Sequence, residues 1–205
     1  DGVVATAGPD SFRLTTPVPL EVEHGTVTAD FVAVEGARER LTLTWHISWE
    51  PPPPVEDADS ALARTEAWWR DWSGRCEYGG AYRDEVLTSL IALKAMTSET
   101  TGAVIAAPTT SLPEEIGGVR NWDYRYCWLR DASFALAALV GNGFVDEAGA
   151  WRSWLLRAVA GDPDDIQIMY GPAGERRLSE FELPWLSGYE DSTPVRVGNG
   201  ASTQF

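Results

Sequence analysis

Histidine and cysteine are scarce, with two of each in 205 residues. Both histidines, His24 and His46, fall in a stretch rich in β-branched residues, well before Cys76 and Cys127. No Cys–His pair, no Ser–His–Asp set and no cluster with metal-ligand spacing can be drawn from them, so neither a cofactor nor a metal is expected. A two-cysteine chain with no secretory leader visible at Asp1 is expected to keep free thiols and to be cytoplasmic. Basic residues are short as well: 16 Lys and Arg stand against 31 Asp and Glu, a formal charge of −15. That balance argues against nucleic acid and against anionic membranes as partners, since both call for basic patches. It is compatible with a neutral small-molecule ligand, and it says nothing about oligomeric state. No apolar run approaches the roughly 18 residues of a membrane-spanning helix. The glycine-rich pieces at 77–80 and 198–200 match no phosphate loop and read as turns.

What is present divides the chain. Residues 12–14, 18–22, 27–34 and 41–49 have β-branched and aromatic content at strand-like lengths, separated by Pro, Gly and charged turns. In 41–49, LTLTWHISW, apolar residues alternate strictly with polar ones, as in an antiparallel strand with one wet face. Four consecutive prolines at 51–54 end strand structure and mark a linker. A helix is expected over 60–72, then further helices over 84–99, from Asp131 onward, and over 146–160 with Trp151, Trp154, Leu155, Ala158 and Val159 as its buried stripe. Another could begin near Asn199. The expected domains are 1–50 (β), 51–77 (linker and linker helix) and 78–205 (helical), a β plus α fold.

The densest stretch is 121–131, NWDYRYCWLRD, which holds four large aromatics, two arginines and two aspartates in eleven residues. Trp122, Tyr124, Tyr126 and Trp128 recur at a spacing of two, so an extended backbone sends all four rings to one side and Asp123, Arg125 and Cys127 to the other. Flat rings can stack on the apolar faces of a pyranose, while Arg and Asp forks bind its hydroxyls. Alternating aromatics also pack ordinary half-buried strands, so the rings alone do not decide between ligand contact and core. Arg130 and Asp131 add weight, because they stand where an extended segment turns into a helix, a place where functional groups tend to be presented. The carboxylate pairs Glu114 with Glu115 and Glu180 with Glu182 read as solvated or capping groups.

The segment 109–134, TTSLPEEIGGVRNWDYRYCWLRDASF, resembles the signature of glycoside hydrolase family 15 in its bacterial glucoamylase and trehalase branch. The stretches QIMYG at 167–171, ELPWLSGY at 182–189 and PVRVGN at 194–199 resemble the same family, in the same order. The resemblance implies the C-terminal part of an antiparallel β-sandwich, a linker helix, and the first helices of an incomplete (α/α)6 barrel of the six-hairpin type. It implies inverting hydrolysis of an α-glucosidic bond, glucoamylase-like or trehalase-like, on a small-molecule or oligosaccharide substrate with a terminal α-glucose. By the resemblance Arg130 and Asp131 grip hydroxyls of the innermost glucose, Trp128 shapes that pocket, and Tyr124 stands beside the reacting centre. Trp122 shares the face by alternation, and Arg196 and Asn199 resemble a second groove-lining segment. The general acid and base are expected beyond Phe205, so no residue of this chain is assigned a catalytic role. A non-catalytic sugar-binding or regulatory module of the same fold is the alternative, since fold alone does not guarantee chemistry.

Overall fold

The computed structural model describes residues 2–159, 161 and 163–203. The expected helix end at Ala160 and the last two residues lie outside them. The chain divides into two compact units, Asp1–Asp71 and Trp72–Phe205.

The first unit is built on strands β1 (Gly2–Ala7), β2 (Asp10–Thr15), β3 (Glu21–Glu23), β4 (Thr26–Thr28) and β5 (Thr42–Ile47). β1, β2 and β5 form an antiparallel sheet in that order, with Ala5, Phe12 and Trp45 in register across it. β3 and β4 make a separate hairpin closed by His24 and Gly25 at φ 50° and 81°. Positive φ at both central residues is the type I′ geometry whose twist matches a two-residue hairpin, and glycine supplies the second without steric cost. The strand expected over 27–34 stops at Thr28, because the backbone beyond it finds no ladder partner among the described residues. The alternation of β5 is as expected, yet its apolar side, with Leu43 and Trp45 beside Phe12, is more than two-fifths exposed. No second layer of described residues covers that face, while Ser11 on the opposite face is buried.

After the proline run, helix α1 (Ala58–Gly74) begins where the Asp57 carboxylate accepts the Ser60 N–H at 2.9 Å, a side-chain cap for an orphan donor of the first turn. In the second unit follow α2 (Arg83–Ala95), β6 (Cys127–Trp128), α3 (Leu129–Val140), α4 (Val145–Ala158), β7 (Met169–Tyr170), β8 (Phe181–Glu182) and β9 (Arg196–Val197). α2 ends four residues before the expected Glu99. Thr97 pairs with Val104, and the Ser98 hydroxyl takes the Thr101 N–H at 3.2 Å, so local side-chain and ladder bonds replace the next helical turn. The expected helix near Asn199 is a single 3₁₀ turn over Gly200–Thr203.

α3 buries Ala132, Ala135, Leu136 and Leu139, the i, i+3, i+4, i+7 stripe of an amphipathic helix. Ala132, Ala135 and Leu136 of that stripe pack on Val104, with Leu93 of α2 and Trp151 of α4 at its margin. A second cluster joins Ala103, Cys127, Trp154, Ala158 and Tyr170, so α4 and the β6–β7 ladder share one core. Each of its large side chains contributes roughly 1.5–3 kcal/mol by burial. Trp72 stacks on Phe144 at 4.1 Å and donates its indole N–H to Glu147 at 2.8 Å. Glu147, buried in α4, also meets the ammonium of Lys94 at 2.9 Å; this is the chain's one lysine. Burial pushes the Glu147 carboxyl up, but the Trp72 and Lys94 hydrogen bonds outweigh it and hold the group below the usual carboxylate range. The two cysteines are free thiols. Burial, then the charge of Glu175, pushes the Cys127 thiol up to about 12, as befits a packing residue.

Candidate functional site

Residues 121–128 are not one continuous strand. Their backbone is held on one edge by 106–111, where Ala106 donates to the Tyr126 carbonyl at 2.9 Å, Ala107 to that of Tyr124 at 3.0 Å and Ser111 to that of Trp122 at 2.9 Å. Only Cys127 and Trp128 go on to pair with Met169 and Tyr170, and α3 starts at the next residue. The two-faced arrangement holds for most of the strip. Asp123 and Cys127 are fully buried on the inner side. Trp122, Tyr124 and Trp128 line one cavity of about 520 Å³, within the range of small-molecule sites.

Tyr126 departs from the expected face. It opens on a neighbouring cavity, and its hydroxyl oxygen accepts the Gly198 N–H at 3.1 Å. Burial and then the negative charge of Asp123 push its phenol above the ordinary value, which keeps it a neutral partner for that backbone. Asp123 is the anchor of the strip. Its carboxylate accepts from Arg125 Nε at 2.9 Å, Arg125 Nη2 at 2.8 Å, the Arg125 N–H at 3.2 Å and the Gly198 N–H at 3.2 Å. Burial raises the Asp123 carboxyl, but the Arg125 guanidinium and the two backbone donors together outweigh it and bring the group below its ordinary value. The Asp123 carbonyl accepts from Asn199 Nδ2 at 3.0 Å, tying 198–199 to the strip.

Arg130 and Asp131 stand at the cavity's edge in the first turn of α3. Arg130 Nη2 donates to Asp131 Oδ2 at 3.0 Å, and the guanidinium lies 5.8 Å from the Trp128 ring centroid. A guanidinium carries five N–H donors, so four remain for a ligand, and the carboxylate beside it keeps acceptor capacity. The same cavity is lined by Glu180 and Asn199. The neighbouring charges in sequence make Glu180 read as solvated; its lining of the cavity comes from residues distant in sequence. β8 pairs with β9 so that Glu182 faces Arg196, and this brings Glu180 beside Arg196 and under the Gly200 N–H. The i, i+2 relation of Glu180 and Glu182 is the one signal in the sequence that bears on it.

Arg196 does not line the cavity. Its Nη1 donates to the carbonyls of Val119 and Asn121 at 3.0 and 3.2 Å, and its guanidinium carbon lies 4.8 Å from the Trp122 ring centroid. Asn199 reaches the cavity, though its amide is engaged by the Asp123 carbonyl and the Ala201 N–H. Among the described residues, no three His, Cys, Asp or Glu side chains gather as a metal site would require, and no helix is long and apolar enough to cross a membrane.

The cavity has a floor of aromatic rings and an Arg–Asp fork at its edge, an arrangement in which rings can meet C–H faces and a fork can meet hydroxyls. The model of the family described as glycosyl hydrolases family 15 matches residues 80–205, and the chain belongs to that family. It is 41% identical over 98% of its length to a trehalase of Mycolicibacterium smegmatis, covering 31% of that protein. It is 37% identical, again over 98% of its length, to a trehalase of Mycobacterium tuberculosis, covering 30% of it. A trehalase of Thermoplasma acidophilum is 40% identical over 70% of the chain, which covers 24% of that relative. The chain thus spans under a third of the length of these curated relatives. No solved structure matches it.

Proposed function

We propose that this chain supplies part of the sugar pocket of an inverting glycoside hydrolase that cleaves α-glucosidic bonds, with trehalose as its substrate. The observation that carries the reading is the cavity in which Trp122, Tyr124 and Trp128 meet the Arg130–Asp131 fork. Family membership and the trehalase relatives support it. In this reading Arg130 and Asp131 hold glucose hydroxyls, Trp128 and Trp122 stack on the ring, and Tyr124 faces the reacting carbon. Arg196 serves the pocket through Trp122.

Inversion needs an acid that protonates the leaving oxygen and a base that activates water on the opposite face, about 6.5–9.5 Å apart. The two carboxylates of the cavity, Asp131 and Glu180, each face a guanidinium, which is the setting of a binding group rather than of a proton donor. That setting argues against either as the acid, and the family resemblance in turn assigns both acid and base outside the residues described. Helices α2, α3 and α4 are the first of the (α/α)6 barrel in this proposal, and β1–β5 belong to a β-sandwich, with α1 as the linker helix. The test is glucose release by the intact protein from trehalose and maltotriose side by side. Turnover of trehalose with maltotriose left intact is expected; turnover of maltotriose alone would move the substrate to maltooligosaccharides, and release from neither would favour a sugar-binding module.

A further inference from the structure

We propose that Glu180 is a specificity-determining residue that accepts a sugar hydroxyl in the cavity, and that Arg196 is the positioning residue which holds Glu180 and Trp122 for that contact. The inference rests on the reading of the cavity as a sugar site. Glu180 lines the same cavity as Trp122, Trp128, Arg130 and Asp131, and its side chain is 28% exposed, so it is neither a free surface group nor sealed in the core. Its two oxygens have one fixed partner each: Oε2 accepts the Gly200 N–H at 3.1 Å, and Oε1 lies 3.4 Å from Arg196 Nε, an ion pair whose geometry falls short of a hydrogen bond. A carboxylate has about four acceptor positions, so roughly two stay open.

A sugar hydroxyl is the donor that suits them, because it is neutral and small and can pass its own oxygen on to Arg130. A cationic ligand would meet the Arg130 and Arg196 guanidiniums as well. The carboxylate cannot easily swing away. Arg196 is held by the Val119 and Asn121 carbonyls, and its own N–H donates to Ser111 Oγ at 2.7 Å, so it is fixed to the backbone that carries Trp122. With its side chain 13% exposed, Arg196 lies against Trp122 and pairs with Glu180 and Glu182. One largely enclosed cation thereby sets both a stacking ring and an acceptor at a fixed separation. Glycine at 198 makes the approach possible: its φ is 85°, and a Cβ there would run into the Ser179 carbonyl next to Glu180.

The test uses the intact protein and reads binding rather than turnover, by titration calorimetry with glucose and its monodeoxy analogues. Glu180→Ala is expected to weaken glucose by about 10- to 100-fold, the worth of one hydrogen bond to a charged group. For one monodeoxy glucose, the one lacking the hydroxyl that Glu180 accepts, variant and wild type should bind alike. Glu180→Gln, which keeps the shape, should show the same pattern at reduced size and serves if the alanine variant fails to fold. Arg196→Lys should weaken glucose without abolishing it, and its loss combined with Glu180→Ala should be less than additive. Unchanged glucose binding in the Glu180 variants, or a loss equal for every analogue, would overturn the inference while leaving the sugar site standing. A wild-type protein that binds none of these sugars would overturn the sugar-site reading itself and this inference with it.

Discussion

Removing the Asp123 carboxylate should be among the most damaging single changes in the second unit. The group is fully buried and accepts four hydrogen bonds, three from Arg125 and one from Gly198. Hydrogen bonds to charged groups contribute about 1.5–3 kcal/mol each, but not all four are lost outright. The Arg125 side chain is 42% exposed, so water takes back its guanidinium donors, and the Gly198 N–H keeps the Tyr126 hydroxyl. What remains is one or two bonds plus a broken pair, which puts Asp123→Ala at about 3 kcal/mol of destabilisation. Asp123→Asn keeps the shape and should cost about half of that. The assay is urea unfolding of the intact protein followed by tryptophan fluorescence, comparing transition midpoints. Because the folded carboxyl lies below its ordinary value, its stabilisation is complete above the unfolded aspartate value near 3.9 and is lost as pH falls through the folded one. The gap between wild type and Asp123→Asn should therefore be flat from neutral pH down to about 5 and close below about 4. An alanine variant within about 0.5 kcal/mol of wild type, the range of an ordinary surface change, would refute the reasoning.

Lys94→Met leaves the Glu147 carboxylate buried without its cation, though still hydrogen-bonded by the Trp72 indole, so it should destabilise by about 3–5 kcal/mol, and Lys94→Met with Glu147→Leu should recover most of it; equal losses in both would contradict the pair. Arg130→Ala and Asp131→Ala in the intact protein should each raise the barrier read from kcat/KM by about 2 kcal/mol or more with little change in thermal stability, since the Arg130 side chain is largely exposed and that of Asp131 about two-fifths exposed; a matching fall in Tm would mark them as structural instead. Cys127 should resist a thiol reagent at pH 8 until the protein is unfolded, because its thiol is sealed and pushed up to about 12; labelling in the native state would contradict its burial.

The helices and the junction at Arg130 were legible because their signals are local. The spacing of Ala132, Ala135, Leu136 and Leu139 states a helix without reference to any other segment, and α3 starts two residues before Asp131. Alternation alone put Cys127 on the side opposite the aromatics, and it is buried there. The strip at 121–128 was legible in composition and only partly in geometry. Its even-numbered aromatics would share one face on a regular strand, but the ladder changes partner between Tyr126 and Cys127, and Tyr126 turns to the Gly198 N–H. Glu180 was not legible as a cavity residue, since its environment is set by Arg196 and Gly200 across a ladder of two residues per strand, too short to leave a periodic trace. The exposed apolar side of β5 shows the complementary limit: alternation tells which residues share a face and not what covers it.

In the proposed function the cavity around Arg130 and Asp131 belongs to an inverting enzyme acting on trehalose. Proton NMR of the first minutes of trehalose hydrolysis by the intact protein tests it most directly, because inversion at one anomeric carbon yields one β-glucose, while the other half leaves as α-glucose. Equal α and β signals ahead of mutarotation are the predicted result, and their loss in Asp131→Ala ties them to this site. α-Glucose alone at early times, or no release of glucose at all, would contradict the account.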